Sequence, residues 1–204
     1  MRLVRDDALG PRIGRIVEVE AYAGPEDRAS HARPGRNRRN AAMFGPPGHA
    51  YVYRVYGMHR CLNVVTGPDG AAAAVLIRGV EPLAGIEAMR AARLERALAS
   101  RPRARADPAA ARLRLARLPA ALLAAGPALV AAAFSVDVAE DGSDLLDPAA
   151  ALRLEPAGPV EPAATIVAGP RVGVAFAGEP WTSIAWRFAV AGNPAVSRPR
   201  PVAG

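Results

Sequence analysis

The chain contains no lysine; all 26 of its basic residues are arginine. A lysine Schiff base is therefore not available as a covalent intermediate, and the nucleophile of any reaction must be sought elsewhere. Cysteine is almost as scarce. Cys61 stands alone, which excludes an internal disulfide and a cysteine-built zinc cage, and its apolar strand context reads as a small buried hydrophobe. No run of about eighteen apolar residues free of charge and proline occurs, and no basic-then-apolar leader opens the chain, so a soluble intracellular protein is expected. The apolar stretch 118–138 comes closest, but Pro119 and the Gly126-Pro127 break suit helices of a folded domain, with Pro127 in a first turn. Acids are also in deficit, 19 against 26 bases for a net charge of +7, which favours an anionic partner. The abundance of alanine, proline, glycine and arginine together reflects a bias toward GC-rich codons, so the alanine tracts and the run Arg101-Pro-Arg103-Ala-Arg105 need no adaptive reading.

Against that background one stretch stands out. Tyr51-Val-Tyr53-Arg-Val-Tyr56-Gly57-Met58 carries three tyrosines in six residues before a glycine. Aromatic rings beside surplus positive charge suit nucleic acid, because rings stack on bases while cations neutralise phosphates; tyrosines are equally at home packing within a strand. Upstream, Gly14-Arg-Ile-Val-Glu18-Val-Glu20-Ala-Tyr22 alternates with period 2, which places Glu18, Glu20 and Tyr22 on one strand face. A carboxylate two residues from an aromatic ring can serve a base-binding pocket as a general base, or simply face water. Between the two stretches, residues 24–48 are polar, basic and rich in turns, the composition of a functional surface loop.

At 204 residues the chain suffices for one domain with a substantial core, and nothing forces a second. Patterning predicts strands near 13–22, 50–56, 60–66, 73–79, 152–155, 171–176 and 186–191, and helices near 83–99, 108–117 and 120–133. Tyr56-Gly57-Met58 is the expected hairpin turn, and 156–170 and 192–204 read as loops or a tail.

The ordered motifs Val-Glu-Val-Glu20-Ala-Tyr22, Gly-Pro-Glu-Asp-x-Ala-x-His31, Arg-Asn-x-x-Met-Phe44, Tyr51-Val-Tyr-x-x-Tyr-Gly-Met58 and Cys61-Leu-Asn63 closely resemble the alkyladenine (3-methyladenine) DNA glycosylase family, of the monofunctional kind related to the human enzyme. Val75-Leu-Ile-Arg78-Gly-Val-Glu81-Pro82, Gly85-Ile-Glu87, Arg171-Val-Gly-Val174 and Trp186-Arg187-Phe188 follow in the same order, so the resemblance runs from about residue 3 to 198. It implies an α+β fold in a single compact domain over 1–204, with a curved antiparallel sheet and a hairpin that inserts into the DNA minor groove.

It also implies an activity. A damaged purine is rotated out of the duplex into a pocket, and a hairpin side chain fills the gap. Tyr56 matches the intercalating tyrosine, with Met58 packing against the same step. Tyr22 and Tyr53 would sandwich the base and His31 close its edge; electron-rich rings favour alkylated purines that carry positive charge. Neutral hypoxanthine and ethenoadenine are further implied substrates. Glu20 would hold a water and take its proton, with Arg78 and the backbone carbonyl of Val172 on the same water; Glu18 is the rival carboxylate. Asn63 matches the residue that crowds the purine 2-position. No cofactor or metal is implied, the product is an abasic site, and the expected partner is duplex DNA containing damaged purines. A monomer without membrane partner is expected, cytoplasmic and, in a bacterium, at the nucleoid.

Three departures from the family pattern are visible. The sequence starts close to the Gly14-Arg15 strand, so the helix that commonly precedes it in relatives is either missing or lies outside this sequence; the Gly-Pro-x-Lys-Leu motif appears as Gly126-Pro-Ala-Leu-Val130 without its lysine, and His59 and Arg60 replace the usual aromatics. Two other classes are carried forward: a non-catalytic damaged-DNA-binding module, and a metal-dependent nuclease using acids such as Glu26 and Asp27.

Overall fold

The computed structural model describes residues 1–99, 107–158 and 164–201. The arginine run at 101–105 lies outside them. An antiparallel sheet organises the fold. Its strands are β1 (Arg2–Arg5), β2 (Arg12–Ala23), β3 (Ala50–Val55), β4 (His59–Val65), β5 (Ala73–Ala84), β6 (Leu152–Glu155), β7 (Ile166–Gly169) and β8 (Arg187–Val190), in the order β3-β4-β5-β2-β1-β6, with β8 pairing to both β2 and β7. Among the described residues three α-helices accompany it: α1 (Ile86–Ala99), α2 (Pro108–Arg117) and α3 (Pro127–Ala133). The architecture is α+β, and no helix among the described residues is long and apolar enough to cross a membrane.

Period-2 alternation gives the sheet two different faces. Val52, Leu62, Ile77 and Val80 point into the main core with Met89 of α1 and Val130 and Phe134 at α3. The opposite face carries one rung of directly paired residues across five strands: Tyr51 on β3, Asn63 on β4, Leu76 on β5, Glu20 on β2 and Arg187 on β8. That rung underlies the candidate site.

The long β2–β5 pair is irregular where it matters. Its register runs Ile16↔Val80, Glu18↔Gly79, Val19↔Ile77, passing over Val17 on one strand and Arg78 on the other. Such bulges bend a strand and re-aim side chains; here the Arg78 guanidinium comes to lie between Glu18 and Glu20. Gly79 is required beside it, since a Cβ there would stand 2.8 Å from the Ala195 carbonyl oxygen and 3.0 Å from the Glu18 Cβ.

Several expectations need correction. The predicted strand at 171–176 is a turn leading into a short 3-10 segment, Ala175–Ala177, because Gly173 turns the chain at φ 79° while Arg171 and Val172 are tied to Asp27 and Glu20. The helix expected over 120–133 is split into a 3-10 turn at Ala120–Leu122 and α3. Gly126 at φ 142° and the missing N–H of Pro127 separate them. Strand β7 occupies part of the stretch read as loop, and β1 precedes β2. Residues 192–201 form no strand or helix, yet they are no loose tail: Ala195, Val196 and Ser197 are buried.

Candidate active site

The hairpin β3–β4 projects with Val55 paired to His59 and Tyr56-Gly57-Met58 as its tip. Tyr56 adopts φ 50° and is 88 % exposed. An aromatic residue held at positive φ with its ring in solvent adds no packing to the fold. At the base of the hairpin opens a cavity of about 300 Å³, at the lower end of small-ligand sites, whose walls include Tyr22, His31, Tyr53, Asn63, Arg78 and Val172, with Tyr56 at its rim. Met58 instead faces grooves on the hairpin's other side, beside Arg60 and Arg96.

Glu20 lies fully buried behind this wall. The Val172 N–H donates to its Oε1 at 2.7 Å, the Tyr22 hydroxyl donates to Oε2 at 2.9 Å, and Arg78 Nη1 stands 3.3 Å from Oε2. A carboxylate offers about four lone-pair positions, so these three donors leave one on Oε1. Burial, and then the negative charge of Glu20, push the Tyr22 hydroxyl pKa far above its ordinary value, which keeps it a donor.

Glu18, two residues earlier, is closed off. Its Oε1 accepts from Arg78 Nε (3.1 Å), Arg187 Nε (2.7 Å) and the Ser197 hydroxyl (2.8 Å), and its Oε2 from the Ser197 N–H (2.6 Å). Burial works to raise its pKa but is outweighed by the Ser197 amide and hydroxyl, Arg78 and Arg187, which hold it below the usual carboxylate range. Neither Glu18 nor Glu20 is itself a wall residue of the cavity; Glu20 is set apart because its donors Tyr22 and Val172 are.

The remaining wall is aromatic. His31 meets Tyr53 edge-on, with centroids 4.4 Å apart at 74°, and its Nδ1 is 2.8 Å from the Tyr51 hydroxyl. Burial and the charge of Arg39 lower its pKa, so the ring is neutral at neutral pH and its other nitrogen is left for a ligand. Asn63 is anchored by its amide nitrogen, which donates to the Tyr51 carbonyl at 2.9 Å. Cys61 is buried beside Tyr53, and burial pushes its thiol up.

Sequence reading missed several participants. Tyr51, counted among the three tyrosines and given no role, holds His31. Asp27, weighed as a metal ligand, is a buried partner of Arg171: Arg171 Nη1 and Nη2 donate to its two carboxylate oxygens at 2.5 and 2.9 Å, and the Ala29 N–H donates to it as well. That removes Asp27 from any metal set, and among the described residues no cluster of three His, Cys, Asp or Glu is arranged to hold a metal. Phe176, 73 % exposed, edges both the cavity and an adjoining groove of about 640 Å³. Arg28, Arg33, Arg38, Arg39 and Arg54 line that groove, and none of them forms a salt bridge among the described residues. The density of arginines in residues 28–39 was the available signal.

Comparison with known proteins identifies the family. A family model described as methylpurine-DNA glycosylase matches residues 1–194. A protein of Burkholderia lata is 44 % identical over 192 residues, covering 94 % of this chain and 80 % of its own length. One from Nocardia farcinica is 46 % identical over 189 residues (90 % and 76 %), and one from Streptomyces avermitilis 42 % over 195 (96 % and 80 %). Each carries the name "Putative 3-methyladenine DNA glycosylase". By the extent of the family match and the identity to these relatives, the chain belongs to the methylpurine-DNA glycosylase family.

Proposed function

We propose that this protein excises alkylated or deaminated purines from duplex DNA by hydrolysing the N-glycosidic bond, leaving an abasic site. The observation that carries the reading is Glu20: a carboxylate buried against a purine-sized, tyrosine-walled cavity, held by three donors with one acceptor position open. A water accepted there is aimed at C1′ of the sugar from the face opposite the departing base, and Glu20 takes its proton as the C–N bond breaks. Its negative charge also stabilises positive charge developing on the sugar. Arg78 and the Val172 carbonyl complete the water's surroundings, while the Val172 N–H orients the carboxylate.

Tyr22 and Tyr53 stack on the flipped base, His31 offers its free ring nitrogen to the base edge, and Asn63 crowds the 2-position. Tyr56 enters the minor groove and fills the gap, Met58 packing on the same step. The arginine groove beside the cavity neutralises backbone phosphates. With no lysine in the chain, the reaction ends at hydrolysis and no strand is cut through a lysine Schiff base. Neither a cofactor nor a metal takes part, and the enzyme acts as a monomer.

Incubating the purified protein with a duplex carrying hypoxanthine or 3-methyladenine, then cleaving abasic sites with alkali, tests this. Strand scission only after alkali is expected, and in excess EDTA as well. Tight binding without any abasic product would instead identify a non-catalytic damage-binding module, and activity restored only by magnesium would identify a nuclease.

A further inference from the structure

The Arg171 guanidinium lies 4.7 Å from the Tyr22 ring centroid and 5.1 Å from that of Trp186. Its side chain is fully buried and borders no part of the cavity, whereas Tyr22 is half-buried and does. The guanidinium therefore covers the back of the ring, and the cavity receives the other face. Asp27 pairs with Arg171 through both oxygens, but the compensation is incomplete. Among the described residues Arg171 Nε is buried without a hydrogen-bond partner, and Arg171 is felt as a positive charge at the Tyr22 hydroxyl, after burial and Glu20.

We infer that Arg171 tunes substrate choice through Tyr22, reducing the preference of the site for bases that carry a formal positive charge over neutral ones. An aromatic face attracts a cation because its π electrons concentrate negative charge there. A cation already on the back face draws those electrons toward itself and repels a second cation arriving in front. A neutral base stacks by dispersion and apolar contact and is nearly indifferent to the charge behind the ring. The arrangement narrows the gap between the two classes, so that a cationic purine, already a good leaving group, does not monopolise the site. Arg171 is a positioning and tuning residue here; it touches neither the base nor the water.

This inference rests on the proposal that the flipped base stacks on Tyr22. The test compares single-turnover excision of 7-methylguanine, cationic in DNA, with that of hypoxanthine, neutral, in duplexes of the same sequence. Removing Arg171 alone would strand the Asp27 carboxylate, so the first variant is Arg171→Met with Asp27→Asn. Its 7-methylguanine to hypoxanthine rate ratio is expected to rise about three- to tenfold over wild type, the scale of one partly desolvated cation–π contact. Asp27→Asn alone leaves the positive charge uncompensated and should lower the ratio, and it serves as the test if the double variant fails to fold. Arg171→Lys keeps the charge and should keep the ratio even where both rates fall. Ratios equal to wild type in the first two variants, with both rates reduced together, would mean that the pair is structural only and overturn the inference. Wild-type protein that releases neither base would overturn the glycosylase reading itself, and this inference with it.

Discussion

Glu18 and Glu20 stand two residues apart on one strand, both fully buried and both in contact with Arg78. Their surroundings could hardly differ more. Glu18 accepts from four donors on β5, β8 and the C-terminal segment, and its charge is spent on holding two arginines inside the sheet. Glu20 accepts from three, one of them the hydroxyl of a ring that borders the cavity. Burial and ion pairing therefore do not tell the two carboxylates apart, since both residues have them. What differs is the acceptor position left unfilled on Glu20, whose donors Tyr22 and Val172 line the cavity.

Substituting each glutamate in turn is the sharpest way to break this comparison. Glu20→Gln should lose about 10²- to 10⁴-fold in excision rate, the usual cost of removing a positioned general base, with damaged-duplex affinity within a few-fold of wild type. Single-turnover rates and a binding titration check it, and normal turnover in Glu20→Gln would move the chemistry elsewhere. Glu18→Gln should do the reverse. It leaves Arg78 and Arg187 buried against a neutral amide, which costs about 3–5 kcal/mol, read as a lower Tm and denaturation midpoint while the folded fraction still excises. Acid sharpens the contrast further. Because the folded pKa of Glu18 is depressed, its stabilisation is fully present above the unfolded value of 4.5 and is lost as pH falls through the lower folded value. Wild-type Tm should thus fall more steeply below about pH 4.5 than that of Glu18→Gln, and parallel curves would deny Glu18 this role.

Two smaller effects belong to the cavity side. Tyr56→Ala should leave Tm unchanged, because the ring is exposed, yet weaken base flipping by about 2–3 kcal/mol, the order of an unstacking cost. A fluorescent ethenoadenine in duplex reports it, and equal amplitudes in both proteins would point to Met58 as the wedge. Asn63→Ser opens space where the 2-amino group of guanine would sit. Its effect should be the smallest, about 1–3 kcal/mol at most in selectivity, seen as faster 7-methylguanine release relative to hypoxanthine in side-by-side rates.

The cavity side was largely legible in the sequence and the closed side was not. Tyr22, His31, Tyr53, Asn63 and Arg78 sit in short motifs whose order identifies the family, and all line one cavity. The long strands β2, β3, β4 and β5 were legible because alternation persists over six residues or more. The long-range partners were invisible: Ser197 lies 179 residues from Glu18, and Asp27 lies 144 residues from Arg171. No local pattern encodes a partner at that distance. Nor could the alternation of β2 and β5 announce the bulge that lifts Arg78 out of register, since both strands read as regular from either side. The strand expected at 171–176 failed for the same reason in reverse: its local pattern was right for a strand, and distant anchors bent it into a turn.

The closure of Glu18 by Ser197 also fixes an order of events. Arg78 reaches the ribosome's exit long before Arg187 or Ser197, and until they follow, a growing chain has one arginine for two neighbouring carboxylates. The contact that completes the cluster joins positions 18 and 197, a long-range closure of the kind that slows folding.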